Sequence, residues 1–547
     1  MKRRQFLNLS AASGLGLLGL TPLFRHTADA DAARVSPAQP SGAMAPRRTP
    51  LRIPGDSGVM GVIDMTDETL PFKAEKISLA LIDGKPSPFL TYSARYGGRD
   101  YQNPIIRIRH GQQFTASLHN QLNEPNIIHW HGLHVPAAMD GQPRTTLDPG
   151  GRFDYTYRVT NRSGMYWYHT HAHHRTAPQV YFGLTGLYMV EDEDEIRLRR
   201  ALDLEPGTTE LPLVIQDRQF NAAGELVYET NAMQHHMGQL GDVILVNLTP
   251  NATLTLARRM YRFRVLNGSN ARVYKLAFVA DGKKLPYQLI GTDAGLLERA
   301  YTAHEEYLSP AERMDILFDA SALPPGQTVR LMSLAFDPLQ GGLMAGMGPM
   351  MGGMSGMGGK NAITLDLGAE FEIMSLVVDE RAAAPAKPAP RQAVPDRLST
   401  IQRTPVNGAI VKKVRITVEN MHWLINGETF HMDRFPLKSK RNTVEIWDIE
   451  NAEMSMPHPM HMHGFSFQVV ERRNSPAHVR LLAKDPQGRQ ITDLGWKDTV
   501  MVWPGETVRI VADFTHPYAG DQLYLFHCHI LEHEDQGMMV NHLVTNS

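Results

Sequence analysis

Cysteine is nearly absent: Cys528 is the only one in 547 residues. A single thiol makes no internal disulfide, so no cross-link ties distant segments together, and the thiol is left for other chemistry. Net charge is nearly absent too. Fifty-five Lys and Arg face 57 Asp and Glu, a formal −2, which excludes the broadly basic surface a nucleic-acid partner requires. Long apolar runs are missing. The best, residues 11–24, falls short of the roughly 20 that cross a bilayer, and no stable membrane insertion is expected. Nor is any helix-period stretch long enough for a helical domain. What remains is ample apolar content and a length that corresponds to roughly three to four domains.

The chain opens Lys2-Arg3-Arg4-Gln5-Phe6-Leu7, and Ala28-Asp29-Ala30 offers a small-x-small cleavage site. Paired arginines before Phe-Leu resemble a twin-arginine signal. Residues 1–30 are therefore expected to be read by the twin-arginine translocation machinery, leaving a periplasmic protein. Residues 31–60, rich in Ala, Pro, Arg and Gly, read as a flexible arm. Short alternating segments follow, such as 105–109, 114–118 and 153–159, separated by Asp-Gly, Pro-Gly and Asn-Gly turns. This is the pattern of antiparallel β-sandwiches. It recurs over 61–195, 205–380 and 406–547, with the acidic run 191–195 closing the first. The second contains a Met/Gly tract at 341–359, and a Pro/Ala-rich linker at 381–405 precedes the third. The expected fold is all-β, three Greek-key β-sandwich domains, in a monomer.

Near the end stands His527-Cys528-His529-Ile530-Leu531-Glu532-His533, with Met538 five residues on. Successive side chains of a strand point to opposite faces. Cys528 can thus bind one metal while His527 and His529 bind metal on the other side, which makes the tripeptide a covalent connection between two sites. Four His-x-His pairs occur: His129/His131, His169/His171, His461/His463 and His527/His529. Residues i and i+2 share a face, so each pair offers two imidazoles to one place, and neutral imidazole suits copper. Two pairs lie in the first strand-rich region and two in the last. They meet only if those regions pack together, which places the implied cluster at their interface. His458, three residues before the third pair, can serve the other metal. With Cys528, His533 and Met538 it completes the ligand set of a blue-copper electron-transfer site.

With these motifs the chain, from about Lys76 to its end, resembles the multicopper oxidases. The resemblance implies three cupredoxin-like domains and four copper ions. Type 1 copper would be held by His458, Cys528, His533 and Met538, the last chosen because the family's axial ligand lies ten residues after the cysteine. Type 2 copper would be held by His129 and His461. The type 3 pair would take His131, His169, His171, His463, His527 and His529. Reduction of dioxygen to water is implied, and it consumes four protons with four electrons. Asp140 and Glu534, acids beside the motifs, are the candidates for supplying them.

Met344, Met347, Met350, Met351, Met354 and Met357 stand among the glycines of 341–359. Thioethers are soft ligands that favour Cu(I), so the tract is a candidate Cu(I) collector. Glu453, Met454 and Met456, beside His458, are candidate ligands for a Cu(I) substrate. This resembles the periplasmic cuprous oxidases of the CueO type, in which a Met at the position of Met456 joins the substrate site. The family's Asp four residues before the type 1 histidine is Met454 here, with Glu453 adjacent. The resemblance implies oxidation of Cu(I), and of phenols, in copper detoxification. The alternatives are a laccase-like oxidase of phenols or other small reductants, and a non-catalytic periplasmic copper store.

Overall fold

The computed structural model describes residues 47–339, 365–381 and 393–546. Residues 1–30, expected to be a signal, residues 31–46, the Met/Gly tract with its six methionines, and residues 382–392 of the linker lie outside the described residues. Six sheets pair into three sandwiches, each with its own core. In the first, a layer containing Leu70–Ile82, Lys85–Tyr96, Gln113–Asn120 and Arg152–Arg158 faces a layer containing Ile105–Arg109, Ile128–His131, Gly164–Thr170 and Thr185–Glu191. Alternation drives this: Leu70, Phe72 and Ala74 enter the core while Pro71 and Lys73 face out. In the third, Ile410–Glu419, Val444–Asn451, Phe467–Arg473 and Thr507–Asp513 face His458–Met462, Thr499–Val502, Gln522–Cys528 and Met539–Thr545.

The turn-rich pattern suggested antiparallel sheets, but they are mixed. Leu70–Ile82 runs parallel to Gln113–Asn120, and Ile410–Glu419 to Val444–Asn451. A tight turn cannot join parallel strands. The chain instead crosses to the facing layer and returns, which is how a Greek key arises.

The described part of the expected arm, from residue 47, is docked. Thr49 and Pro50 pair in parallel with Ala252 and Thr253, and Leu51 enters the middle core. The later half of the 381–405 linker is docked as well. Leu398 and Ile401 are buried, and Ser399 Oγ donates to the carbonyls of Leu296 and Leu297, each 2.9 Å away. In both places a few apolar side chains and hydrogen bonds outweigh the ordering entropy that Pro- and Ala-rich sequence suggests is unmet. The acidic run continues into the helix Glu193–Ala201, capped by Asp192, and Glu195 is buried against Arg262 and Arg264.

The first and third sandwiches pack on each other. Tyr524 Oη donates to Val135 O at 2.7 Å and Tyr518 Oη to His134 O at 2.8 Å. Ala137 belongs to the third core. The condition that lets the two sets of histidine pairs meet is therefore fulfilled.

Glu306, in the middle sandwich, is a buried carboxyl with one oxygen unpartnered. Burial pushes it up to about 8, with Asp493 adding to the rise. Its folded value lies above the unfolded carboxylate value, so the fold binds the extra proton and stability falls as pH rises between the two. Glu306→Gln should raise the thermal midpoint at pH 9 by about 2–4 °C or more and leave it unchanged near pH 4. A shift equal at both pH values, followed by calorimetry, contradicts this.

Candidate metal centre

Strand register assembles the histidines. His129 stands opposite His169 across Ile128–His131 and Gly164–Thr170, and His461 stands opposite His527 across His458–Met462 and Gln522–Cys528. Cys528 is opposite Met460. It therefore faces the third core while its neighbours His527 and His529 face the interface between the first and third sandwiches.

On the core side, Cys528 Sγ lies 3.5 Å from both His458 Nδ1 and His533 Nδ1. The far nitrogens are engaged: His533 Nε2 donates to His236 O at 2.9 Å, and His458 Nε2 lies 3.2 Å from Ser455 Oγ. That arrangement aims the Nδ1 lone pair of His533 at the sulfur. Ile530 N–H donates to Sγ at 3.4 Å. Met538 is fully buried in the same core, its N–H bonded to His533 O and its carbonyl to Cys528 N. Trp423 roofs the site, 4.6 Å from the His458 ring, with Nε1 on His236 O.

On the other side, all eight paired histidines are at most 1% exposed. His129 stacks on His463 at 3.9 Å and His131 on His461 at 3.7 Å, each stack joining the first sandwich to the third. His463 donates from Nδ1 to Asp140 Oδ2 at 2.7 Å, and His527 from Nδ1 to Cys528 O at 3.0 Å. Their Nε2 atoms, 3.0 Å apart, thus turn lone pairs toward each other, a contact that a nearby cation relieves. His129 Nε2, His169 Nε2, His461 Nε2 and His131 Nδ1 are likewise buried without a partner. Burial pushes all eight, and His458 and His533, below the ordinary imidazole range. They are neutral, the form that ligates. Burial pushes the Cys528 thiol up, and a coordinating metal would remove its proton. Converging neutral imidazoles, orphaned lone pairs and one thiol fit copper at both places.

The two candidate acids lie against this cluster. Asp140 also accepts from His129 Nδ1 at its carbonyl, 2.8 Å away. Its turn needs Gly141, where φ is +75° and a Cβ would stand 1.7 Å from Ile128 O. Glu534 sets one oxygen 3.4 Å from His171 Nδ1 and the other 3.4 Å from His527 Nδ1. Burial pushes both carboxyls well up. The candidate Cu(I) ligands beside His458 separate: Glu453 and Met454 are exposed, whereas Met456 is 2% exposed inside the third core. Sequence reasoning missed Asp498, Arg313, His236 and Trp423. The one available signal was Lys497-Asp498, two charges leading into the apolar strand Thr499–Val502.

Family profiles described as multicopper oxidase match residues 91–195 and 403–547. The chain is 30% identical over 448 residues to a multicopper oxidase of Staphylococcus haemolyticus, covering 81% of this chain and 82% of that one. It is 31% identical over 467 residues to a laccase of Bacillus subtilis, covering 80% of this chain and 82% of that one. It is similar in structure to the McoA multicopper oxidase of Aquifex aeolicus, with a TM-score of 0.78 and 36% identity over 91% of this chain and all of that one.

Cys528→Ser should abolish the intense visible absorption of the copper-loaded protein while its circular dichroism stays native. Retained blue colour in that variant contradicts the thiolate assignment.

Proposed function

This chain belongs to the multicopper oxidases, and on that premise we propose that it oxidises Cu(I), and phenols besides, at the expense of dioxygen in copper detoxification. Copper, when bound, supplies one-electron exchange at the thiolate site and four-electron reduction of dioxygen to water at the imidazole cluster. In this reading type 1 copper takes His458, Cys528, His533 and Met538. Type 2 takes His129 and His461, and the type 3 pair takes the remaining six histidines. Export by the twin-arginine route to the periplasm completes the proposal.

The chain's own residues divide the work. His527 and His529 are bonded to Cys528 through the main chain, which gives electrons the shortest covalent path between the two places. Glu534, whose carboxyl burial pushes well up, lies 3.4 Å from His171 Nδ1 and is the acid placed to supply protons at the cluster. Asp140 orients His463 through its carboxylate and His129 through its carbonyl, and is the second candidate acid.

The observation that carries the Cu(I) reading is where the exposed thioethers fall. Among the described residues, Met233, Met421 and Met454 are 40%, 52% and 58% exposed. Met233 lies on the helix Ala232–Met237, whose His236 carbonyl accepts from His533 Nε2. Met421 O lies 3.1 Å from His236 Nδ1. Met454 precedes Ser455, whose hydroxyl meets His458 Nε2. Three exposed thioethers thus stand on segments that supply or adjoin the partners of His458 and His533, and thioethers favour Cu(I). The laccase-like reading draws on the burial of Met456, which removes one thioether from that surface.

Replacing Met233, Met421 and Met454 by Leu keeps side-chain volume and should cost under about 1.5 kcal/mol of stability. Oxygen uptake should show Cu(I) oxidation falling about tenfold or more while phenol oxidation stays within about twofold, since only the soft cation needs thioether ligands. Equal losses on both substrates would favour the laccase-like reading.

A further inference from the structure

The middle sandwich supplies none of the ligands proposed above for the thiolate site or the imidazole cluster, yet it reaches the cluster. Arg313, on the strand Arg313–Asp319, sets its guanidinium on Asp498, with Nη1 2.8 Å from Oδ1 and Nη2 2.5 Å from Oδ2. Both residues are essentially inaccessible. Asp498 Oδ1 also lies 3.0 Å from His131 Nε2, and the Asp498 carbonyl accepts from His461 Nδ1 at 2.8 Å. Asp293 receives the N–H groups of Asp498 and Thr499 at 3.4 and 3.3 Å, and Lys497 Nζ lies 3.0 Å from both Asp293 and Glu312. Opposite charges of the middle and third sandwiches therefore interleave directly behind two cluster histidines.

A carboxylate held by both arms of an arginine only accepts. His131 Nε2 must then carry the hydrogen, and its lone pair sits on Nδ1, the nitrogen left without a partner. Five other cluster imidazoles do the reverse. His129, His169, His461, His463 and His527 each donate from Nδ1 to a carbonyl or carboxylate oxygen. We propose that Asp498, clamped by Arg313, is a positioning residue that fixes His131 in the Nε2–H tautomer, so that this one ligand meets its metal through Nδ1. The same residue aligns His131 with His461, whose ring is stacked on it 3.7 Å away and 13° from parallel. The glycine that ends His129-Trp130-His131-Gly132 has its explanation here. Gly132 has φ +82°, and a Cβ on it would stand 2.3 Å from Asp498 Oδ2.

The proposal rests on the copper assignment of the cluster, and the thiolate site serves as an internal control for folding. Asp498→Ala removes the acceptor. Asp498→Asn keeps the shape but turns an amide NH2 against one arm of Arg313, a donor facing a donor. Adding Arg313→Met to Asp498→Asn removes that opposition and leaves the amide oxygen free to accept from His131. Copper-free protein is reconstituted with Cu(II), then assayed for copper per chain, blue absorbance, near-ultraviolet absorbance and electron paramagnetic resonance. Both single variants should keep the blue band and lose cluster copper affinity by about 10–100-fold, the usual effect of removing a ligand's outer partner. The Asn/Met double variant should regain affinity to within about threefold of wild type. Wild-type copper content and spectra in Asp498→Ala overturn the proposal. So does a double variant no better than Asp498→Asn, the result expected if Asp498 ligated the metal itself. Parallel loss of the blue band in all variants makes the pair structural only and also overturns it. A wild-type protein that takes up copper at the thiolate site alone would instead contradict the underlying assignment.

Discussion

Adjacent residues of an extended chain point to opposite faces, and in this protein that constraint decides where everything else must be. His527, Cys528 and His529 close one strand and begin the turn after it. With Cys528 turned into the third core, the two histidines are committed to the other side. That side becomes habitable for imidazoles only because the first sandwich packs there with His129, His131, His169 and His171. The interface between the two sandwiches is built around this cluster, and the stacked pairs His129/His463 and His131/His461 are its central contacts.

Such an interface is expensive without metal. Buried nitrogens without partners cost free energy, and His463 and His527 oppose lone pairs at 3.0 Å. The surrounding structure compensates by fixing the far nitrogen of most rings, through backbone carbonyls of residues 140, 170, 498 and 528 and the carboxylate of Asp140. Preorganisation of this kind means that binding energy is not spent on ordering ligands, and it couples copper uptake to the stability of the domain interface. The middle sandwich contributes through Arg313, Asp293 and Glu312, a role that a list of metal ligands alone would overlook.

Much of this was legible in the chain because it depends on short-range geometry. Period-two spacing announced the His-x-His pairs and the two faces around Cys528, and the meeting of first and last regions followed from counting the pairs. Asp140 and Glu534 were visible because they sit within a few residues of the motifs. Asp498 and Arg313 were not, because their bond spans 185 positions and no local pattern encodes a tertiary ion pair. The substrate side misled for a similar reason. Proximity to His458 along the chain made Met454 and Met456 look equivalent, but the bend between Val444–Asn451 and His458–Met462 leaves Met454 exposed and turns Met456 into the third core. His236 and Met421 join that surface only through folding. Composition likewise overstated the arm and the linker, where Leu51, Leu398 and Ile401 are enough to dock segments otherwise rich in Pro and Ala.

The central claim is that one strand separates a thiolate copper site from an imidazole copper cluster. Metal analysis and electron paramagnetic resonance on the same oxidised, copper-loaded sample test it most directly. Four coppers per chain are expected, with only half of them visible by resonance, because two Cu(II) ions held by neighbouring imidazoles would couple their spins and fall silent. A single copper per chain with only the thiolate signal, or full spin visibility of every bound copper, would contradict the account.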